Sequence, residues 1–265
     1  MSASTFQFRT IAANFGWLAA GELVAKLCSF TAFVYIARIF GPSAMGLIEY
    51  VLAIIFVMTL VIDFGFGMYG AREIAKNQTL ISDMARRVMG TRLWLTLLCL
   101  VVVAIAAICA NRPELRWLML LFGLSLLPAP FLLQWVFQGC DLMHVVSIAQ
   151  VVRYGVFAIV VFTTVRARTH LWLVPIAEIL GVLAAAALTI TFYRRRFGSF
   201  PLMIRRWPDW RLIADSLTIG ASQFMWAARY VFVTVLLWPM APDEEIGLFG
   251  TALRIVVAMH IFVTL

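Results

Sequence analysis

Long runs of apolar residues, separated by short polar stretches, recur along the whole chain. Two of them, 93–111 and 117–140, contain no Asp, Glu, Lys or Arg, and six others contain one or two internal charges. About 20 apolar residues in a helix cross a bilayer core of about 30 Å, and the runs lack the alternation of a membrane strand. The pattern predicts eight transmembrane helices, at about 14–39, 45–70, 93–110, 117–138, 145–165, 171–193, 213–238 and from 246 onward.

The composition supports a membrane protein and argues against several other classes. Of the 265 residues, 63% are apolar and 13% are charged, whereas soluble domains average about 45–50% apolar and about 25% charged residues. A soluble fold of this size could not bury such an excess of apolar surface. A soluble enzyme, a disordered chain and a nucleic-acid-binding domain are therefore disfavoured, and we expect an all-α polytopic membrane protein.

The net charge of +8 is best explained by topology. If the N-terminus is cytoplasmic, twelve Lys and Arg residues lie in cytoplasmic segments and five on the opposite side. This bias follows the positive-inside rule, so the basic excess does not indicate a nucleic-acid partner. The clusters at 194–196 and 205–206 should attract anionic lipid headgroups.

An internal repeat predicts the domain organisation. Residues 46–54 and 247–255 are identical at four of nine positions, and each segment follows a short stretch that contains a proline. Duplicated halves are common in transporters. We expect a six-helix lobe at 1–193, a cytoplasmic linker at 194–212 and the first two helices of a second lobe at 213–265. Since the chain ends inside the eighth predicted helix, we expect a fragment of a longer protein or a truncated reading frame.

Ionisable residues within the apolar runs are the strongest functional signal. Each costs about 2.5–3.5 kcal/mol near the bilayer centre, so such residues usually face a bundle interior or a water-filled cavity. Helices 3 and 4 lack them, which places these two helices at the lipid-facing periphery. The other six helices are expected to line a polar route, with Glu22, Lys26, Glu49, Asp63, Arg153, Glu178, Arg229 and Arg254.

Three of these residues are arginines suited to an anion. Arginine stays charged and binds phosphate oxygens in a bidentate manner, so Arg153, Arg229 and Arg254 could hold a diphosphate or an acidic sugar. The alternative is that they snorkel or pair with Glu49 or Glu178.

Other charged residues could couple or gate transport. Glu22 and Lys26 have the i, i+4 spacing of a helical ion pair, which either neutralises itself or lines a cavity. Asp63 precedes the Phe-Gly-Phe-Gly stretch 64–67, which allows close packing or local unwinding and suggests a cation site, a gate or a helix-end packing motif. Arg38, at the end of helix 1, is a candidate outer gate or an interface anchor.

The motifs of enzymes are missing from the sequence. The histidines at 144, 170 and 260 are not at metal-ligand spacing, and no nucleophile elbow or phosphate-binding loop occurs. We therefore expect neither catalytic activity, nor a metal site, nor a cofactor. Pro128 and Pro130 predict a kink in helix 4.

Several short motifs stand out in the sequence: 37–42 with Gly46, 63–65 with 72–74, 135–139, and 247–254. They resemble those of polysaccharide biosynthesis flippases of the multidrug/oligosaccharidyl-lipid/polysaccharide exporter (MOP) superfamily. The resemblance implies 12 to 14 helices in two lobes around a cationic cavity, and alternating access that moves an undecaprenyl-diphosphate-linked oligosaccharide outward. Arg229 and Tyr230 stand where the family often has an acidic residue in helix 7.

The resulting prediction is a bacterial inner-membrane flippase for O-antigen or exopolysaccharide biosynthesis. Alternatives are a multidrug antiporter or lipid II flippase of the same superfamily, and a polytopic membrane enzyme of polysaccharide assembly. The expected partners are the lipid-linked oligosaccharide, membrane lipids and a polysaccharide polymerase or other assembly proteins. Predicted substrate-binding residues are Arg229, Arg254, Arg153 and Lys26, and predicted coupling or gating residues are Glu22, Asp63, Glu178 and Arg38.

Overall fold

The computed structural model describes residues 3–198, 208–237 and 241–264, with the side chains of 14–198, 208–225, 241–253 and 256. All regular secondary structure in these residues is helical, as the apolar runs predict. Short 3-10 turns occupy Gln78–Leu80, Ala129–Phe131 and Arg168–His170. The α-helices are α1 (Ala3–Phe40), α2 (Pro42–Asp63), α3 (Phe66–Lys76), α4 (Ile81–Cys109), α5 (Pro113–Leu124), α6 (Gln134–Gly139), α7 (Met143–Thr164), α8 (Leu173–Phe197), α9 (Trp210–Leu237) and α10 (Asp243–Thr264).

The helices confirm a multi-pass membrane protein. The described residues contain six segments that are long and apolar enough to cross a membrane, and these agree with the first six predicted helices. The helices α9 and α10, of 28 and 22 residues, lie where the seventh and eighth were predicted. The six segments are Asn14–Phe40, Pro42–Lys76, Gln78–Cys109, Pro113–Gly139, Met143–Thr164 and Leu173–Phe197.

The second predicted helix is divided into α2 and α3. Phe64 and Gly65 lie between them with φ of 41° and 77°, in the left-handed region that glycine adopts most easily. The Phe64 N–H still donates to the Leu60 carbonyl, so α2 ends with its last turn closed. The prediction of a continuous helix over 45–70 is therefore wrong at this point, and the unwinding considered at 64–67 is present.

The fourth predicted helix is likewise divided, into α5 and α6. Pro128 and Pro130 lie in the break, where the missing proline N–H groups prevent a continuous helical ladder. A buried Nη of Arg92 donates to the Leu132 carbonyl at 3.3 Å. A backbone acceptor freed by the break is thus paired inside the protein, as the bilayer environment requires.

The third predicted helix begins earlier than expected, and three arginines that were expected in a loop therefore belong to the helix. Because α4 starts at Ile81, Arg86, Arg87 and Arg92 lie within the helix and not in a cytoplasmic loop. The expectation that helix 3 carries no charge is therefore wrong. One face of α4 is nevertheless exposed and apolar, as expected of a peripheral helix, and it presents Leu97, Leu98, Val101, Val102, Ile105 and Ile108.

Two groups of helices form the bundle. The helix α7 packs between α1 and α8, and α2 contacts α4, α5, α9 and α10. One apolar cluster lies towards the N-terminal end of α2, which we call the Pro42 end, and a second lies towards the opposite, Asp63 end. The first includes Ile36, Val51, Phe122 and Phe157, and the second includes Phe66, Val88, Leu133, Phe137 and Tyr193.

The two copies of the internal repeat contact each other at the Pro42 end. A Cβ on Gly46 would overlap the Asp243 carbonyl oxygen, and a Cβ on Gly247 would overlap the Pro42 carbonyl oxygen. In the repeat, position 42 corresponds to 243 and position 46 to 247, so the contact is reciprocal. Glycine therefore allows the first turns of α2 and α10 to cross with their backbones touching. The division of the chain into lobes stays a prediction.

Candidate functional site

A cavity of about 420 Å³ lies where α1, α2, α7 and α8 meet. Most of its wall is apolar, with Phe33, Leu52 and Val182 among the lining residues. A few polar groups in an otherwise apolar wall are typical of a ligand pocket. The charged or hydrogen-bonding side chains in the wall are Ser29, Glu49, Thr59, Ser125, Arg153, Tyr154 and Glu178.

An ion pair between α7 and α8 borders this central cavity. An Nη of Arg153 donates to Oε1 of Glu178 at 2.7 Å, and the side chains are 30% and 16% exposed. Gly181 makes the pairing possible, since a Cβ there would lie 2.6 Å from the Arg153 carbonyl oxygen. The buried Nε of Arg153 has no hydrogen-bond partner among the described residues. Arg153 is therefore held by Glu178 with its positive charge at the border of the cavity.

A second ion pair lies on α1 beside a smaller cavity. Lys26 Nζ and Glu22 Oε1 are 3.0 Å apart in i, i+4 spacing, and both side chains are more than one-third exposed. The adjoining cavity, of about 240 Å³, is also lined by Gln134 and Gln150. The two residues thus form a self-neutralising ion pair and also line a cavity, so both interpretations of the i, i+4 spacing apply.

A third cavity, of about 330 Å³, lies at the Asp63 end. The Arg92 guanidinium on α4 forms an ion pair with the Asp63 carboxylate on α2. Arg92 is 7% exposed and Asp63 is 31% exposed, so the pair is buried on one side and open on the other. The remaining hydrogen-bonding side chains in this wall are Thr59, Gln134, Trp135, Gln138 and Gln223.

The three cavities adjoin each other. Arg153 and Tyr154 line both the central and the second cavity, Gln134 lines the second and third, and Thr59 lines the central and third. A row of cavities, each with charged side chains in its wall, therefore leads from the middle of the bundle to its Asp63 end. We call it the cavity row. Such a row runs along helices that the intramembrane charges predict to line a polar route. The expectation that helices 3 and 4 stay at the lipid-facing periphery is wrong, because residues of α4 and α6 line the third cavity.

The structure places the predicted site residues in three groups. Lys26, Glu22, Arg153 and Glu178 surround two adjoining cavities, and Asp63 lines the third. Arg38 is exposed near the end of α1 and lines none of these cavities. The side chains of Arg229 and Arg254 lie outside the described residues, so their role stays a prediction.

Sequence reasoning missed Arg92, the partner of Asp63. The uncharged apolar run starts at residue 93, so the sequence pattern assigns Arg92 to a loop. Asp63 lies at the end of one apolar run and Arg92 directly before the next, so the two opposite charges lie on the same side of adjacent membrane spans. That complementarity is the signal that could have paired them.

Polar contacts also join the ends of α2 and its neighbours to α9 and α10. At the Asp63 end, Tyr69 Oη donates to Asp215 Oδ2 at 3.2 Å, and Arg87 Nε donates to Asp209 Oδ2 at 2.7 Å. At the Pro42 end, Arg112 forms an ion pair with Asp243. The bundle is thus bridged to the start of α9 at its Asp63 end and to α10 at its Pro42 end.

The described residues contain no group of three or more His, Cys, Asp or Glu side chains that could hold a metal ion. The polar side chains that line the cavities offer ion pairs and hydrogen bonds.

The fold is that of a polytopic membrane protein with a row of cavities between its helices. The model of the family "Polysaccharide biosynthesis protein" matches residues 11–265, so the chain belongs to that family. Comparison with curated proteins finds no match.

Solved structures show the same fold. A structure described as "protein A" matches with a TM-score of 0.72 and 13% identity, over 96% of this chain and 61% of that chain. The MATE multidrug transporter DinF-BH, solved as a complex, matches with a TM-score of 0.63 and 17% identity, over 96% of this chain and 61% of that chain. A MOP superfamily transporter from Pyrococcus furiosus Vc1 matches with a TM-score of 0.52 and 14% identity, over 92% of this chain and 62% of that chain.

The chain therefore has the fold of MOP-superfamily transporters. It spans about 61% of the length of the first two structures.

Proposed function

We propose that the protein is a flippase that translocates an undecaprenyl-diphosphate-linked oligosaccharide by alternating access. The observation that carries the proposal is the row of cavities with charged and hydrogen-bonding side chains in their walls, which lies inside an apolar helix bundle. The chain's membership of the polysaccharide biosynthesis family supports it. A lipid-linked sugar needs such a path for its polar head while its polyprenyl tail stays in the hydrocarbon. We assign it to O-antigen or exopolysaccharide assembly in the bacterial inner membrane, with a cytoplasmic N-terminus.

The proposed roles of the charges follow from their pairing. Arg153 and Lys26, with Arg229 and Arg254, would bind the diphosphate and acidic sugars. Because Arg153 is paired with Glu178, a phosphate oxygen would have to replace that carboxylate, and the exchange couples substrate entry to the packing of α7 on α8.

Coupling and gating would use the remaining charged residues. In this proposal Glu22, Asp63 and Glu178 respond to a proton or sodium gradient, and Arg38 acts at the outer end. Alternating access would rock the 1–193 lobe against a second lobe beginning after the 194–212 linker. A polymerase or another assembly protein would receive the translocated unit.

Charge reversal tests the anion-binding role. In a strain that lacks its own repeat-unit flippase, the native protein should restore surface polysaccharide, and Arg229→Glu or Arg254→Glu should abolish it at normal membrane abundance. Surface polysaccharide is measured on gels and protein amount by immunoblot. Arg168→Glu, on an exposed turn, is the matched control and should export normally. Normal export by both reversal variants would refute the anion-binding role.

A second candidate function, organic-cation antiport, is favoured by one observation. Among the described side chains of the central and second cavities, three carboxylates (Glu22, Glu49, Glu178) accompany two cations (Lys26, Arg153). Accumulation of ethidium, a fluorescent organic cation, in cells with and without the protein distinguishes the two functions. Only the antiporter should lower ethidium accumulation in strains that make no polysaccharide.

A further inference from the structure

The third cavity, at the Asp63 end, differs in chemistry from the other two. Its wall contains three carboxamide side chains, Gln134, Gln138 and Gln223, together with the Thr59 hydroxyl. A carboxamide offers two N–H donors and a carbonyl acceptor, so it can pair with groups that both donate and accept. Hydroxyl groups have that property, whereas phosphate and ammonium groups do not.

The ion pair in this wall gives the cavity no net charge. Asp63 and Arg92 are the ionisable side chains that line it among the described residues, and they are paired with each other. An anion entering the cavity would have to displace Asp63 from Arg92, and a cation would have to displace Arg92 from Asp63. An uncharged ligand can hydrogen-bond to both groups while the pair stays intact.

Two further donors in the wall have no partner among the described residues. These are Nε of Arg92 and Nε1 of Trp135, on side chains that are more than nine-tenths buried. A buried polar group without a partner is destabilising by about 1–3 kcal/mol, so natural proteins usually pair such groups with protein, water or ligand. Neither nitrogen is accessible to solvent, so each can gain a partner only if its side chain shifts.

We propose that this cavity is a subsite for one uncharged sugar residue. Its volume of about 330 Å³ is at the small end of ligand pockets, which suits a single ring better than an oligosaccharide. The carboxamides and the Asp63–Arg92 pair would bind the ring hydroxyls. That the sugar belongs to a transported lipid-linked oligosaccharide rests on the proposed function, whereas binding of a free sugar does not.

The arrangement separates two parts of the substrate. The diphosphate is assigned to the cationic residues of the central and second cavities, and the neutral sugar to the third cavity. Because Gln134 borders both the second and third cavities, one substrate head can reach both subsites at once.

Binding of free sugars to the purified native protein tests the subsite. The probes are methyl glycosides of glucose, galactose and N-acetylglucosamine, with binding followed by saturation-transfer NMR in detergent micelles. At least one probe should bind, and Gln138→Leu should weaken it about tenfold through the lost hydrogen bonds. Gln138 is exposed, so this variant should fold normally. Gln78→Leu, on an exposed turn that lines none of the three cavities, should bind like the native protein.

Competition with inorganic pyrophosphate distinguishes a neutral subsite from an anion site. Pyrophosphate should not displace the bound glycoside from the native protein, but it should do so from Asp63→Asn, in which the Arg92 charge is no longer neutralised. The proposal is overturned if no glycoside binds, if Gln138→Leu binds unchanged, or if pyrophosphate displaces the sugar from the native protein.

The export assay separates this proposal from the proposed function. Glycoside binding that depends on Gln138, together with normal export by both charge-reversal variants, would leave the subsite standing and refute the anion-binding role. Loss of export in those variants without any glycoside binding would refute the subsite alone.

Discussion

Two ion pairs in the cavity row have similar lengths and different architecture. Arg153 and Glu178 are 2.7 Å apart, join α7 to α8, and are 30% and 16% exposed. Glu22 and Lys26 are 3.0 Å apart, belong to one helix, and are 40% and 37% exposed. The first pair depends on how two helices are rotated and packed, whereas the second needs only the i, i+4 spacing of α1.

This difference determines how much each pair can contribute to the stability of the protein. A pair between helices whose carboxylate is mostly buried leaves that carboxylate uncompensated when its cation is removed, so the loss of stability is large. An exposed pair within a helix contributes only a few tenths of a kcal/mol. The Arg92–Asp63 pair is intermediate, since it joins two helices but its carboxylate is 31% exposed.

The largest effect is expected for Arg153→Met. This change leaves the Glu178 carboxylate between α7 and α8 without its cation. The expected loss of stability is about 3 kcal/mol, the low end for a buried pair, because the two side chains are partly exposed. Thermal unfolding of the purified protein, followed by tryptophan fluorescence, measures the loss.

The double variant Arg153→Met with Glu178→Leu is the control. It replaces both charges by apolar side chains of similar size, and such replacements are often neutral or stabilising. It should therefore regain most of the lost stability while still failing to bind anions. A double variant as unstable as Arg153→Met would show that the packing of Arg153, and not its charge, holds the two helices.

Arg92→Met should have a smaller effect, of about 1–3 kcal/mol. It removes the partner of Asp63 and the donor to the Leu132 carbonyl, but the partly exposed carboxylate can recover part of its hydration. Arg86→Met, on the exposed face of the same helix, is the matched control and should change stability little. Equal losses in the two variants would contradict the assignment of Arg92 to the third cavity.

The sequence predicts some of these features and not others, for a physical reason. Apolar runs reveal where helices cross the membrane, and both Pro128 and Gly65 mark real interruptions. The sequence leaves both roles of Arg153 open, because its pairing with Glu178 depends on the rotation of α7 against α8. Arg92 was missed because the first turns of α4 are polar on one side, so hydropathy alone placed the helix start too late.

The smallest effect is expected for Lys26→Gln. Because Glu22 is 40% exposed and its partner lies on the same helix, removing the lysine charge should lower stability by about 0.2–0.5 kcal/mol. High salt should reduce the difference from the native protein further, since exposed charges are screened. Thermal unfolding at low and high salt measures both effects. A loss as large as that of Arg153→Met would mean that Lys26 has a partner on another helix, and the contrast between a local and an interhelical pair would then fail.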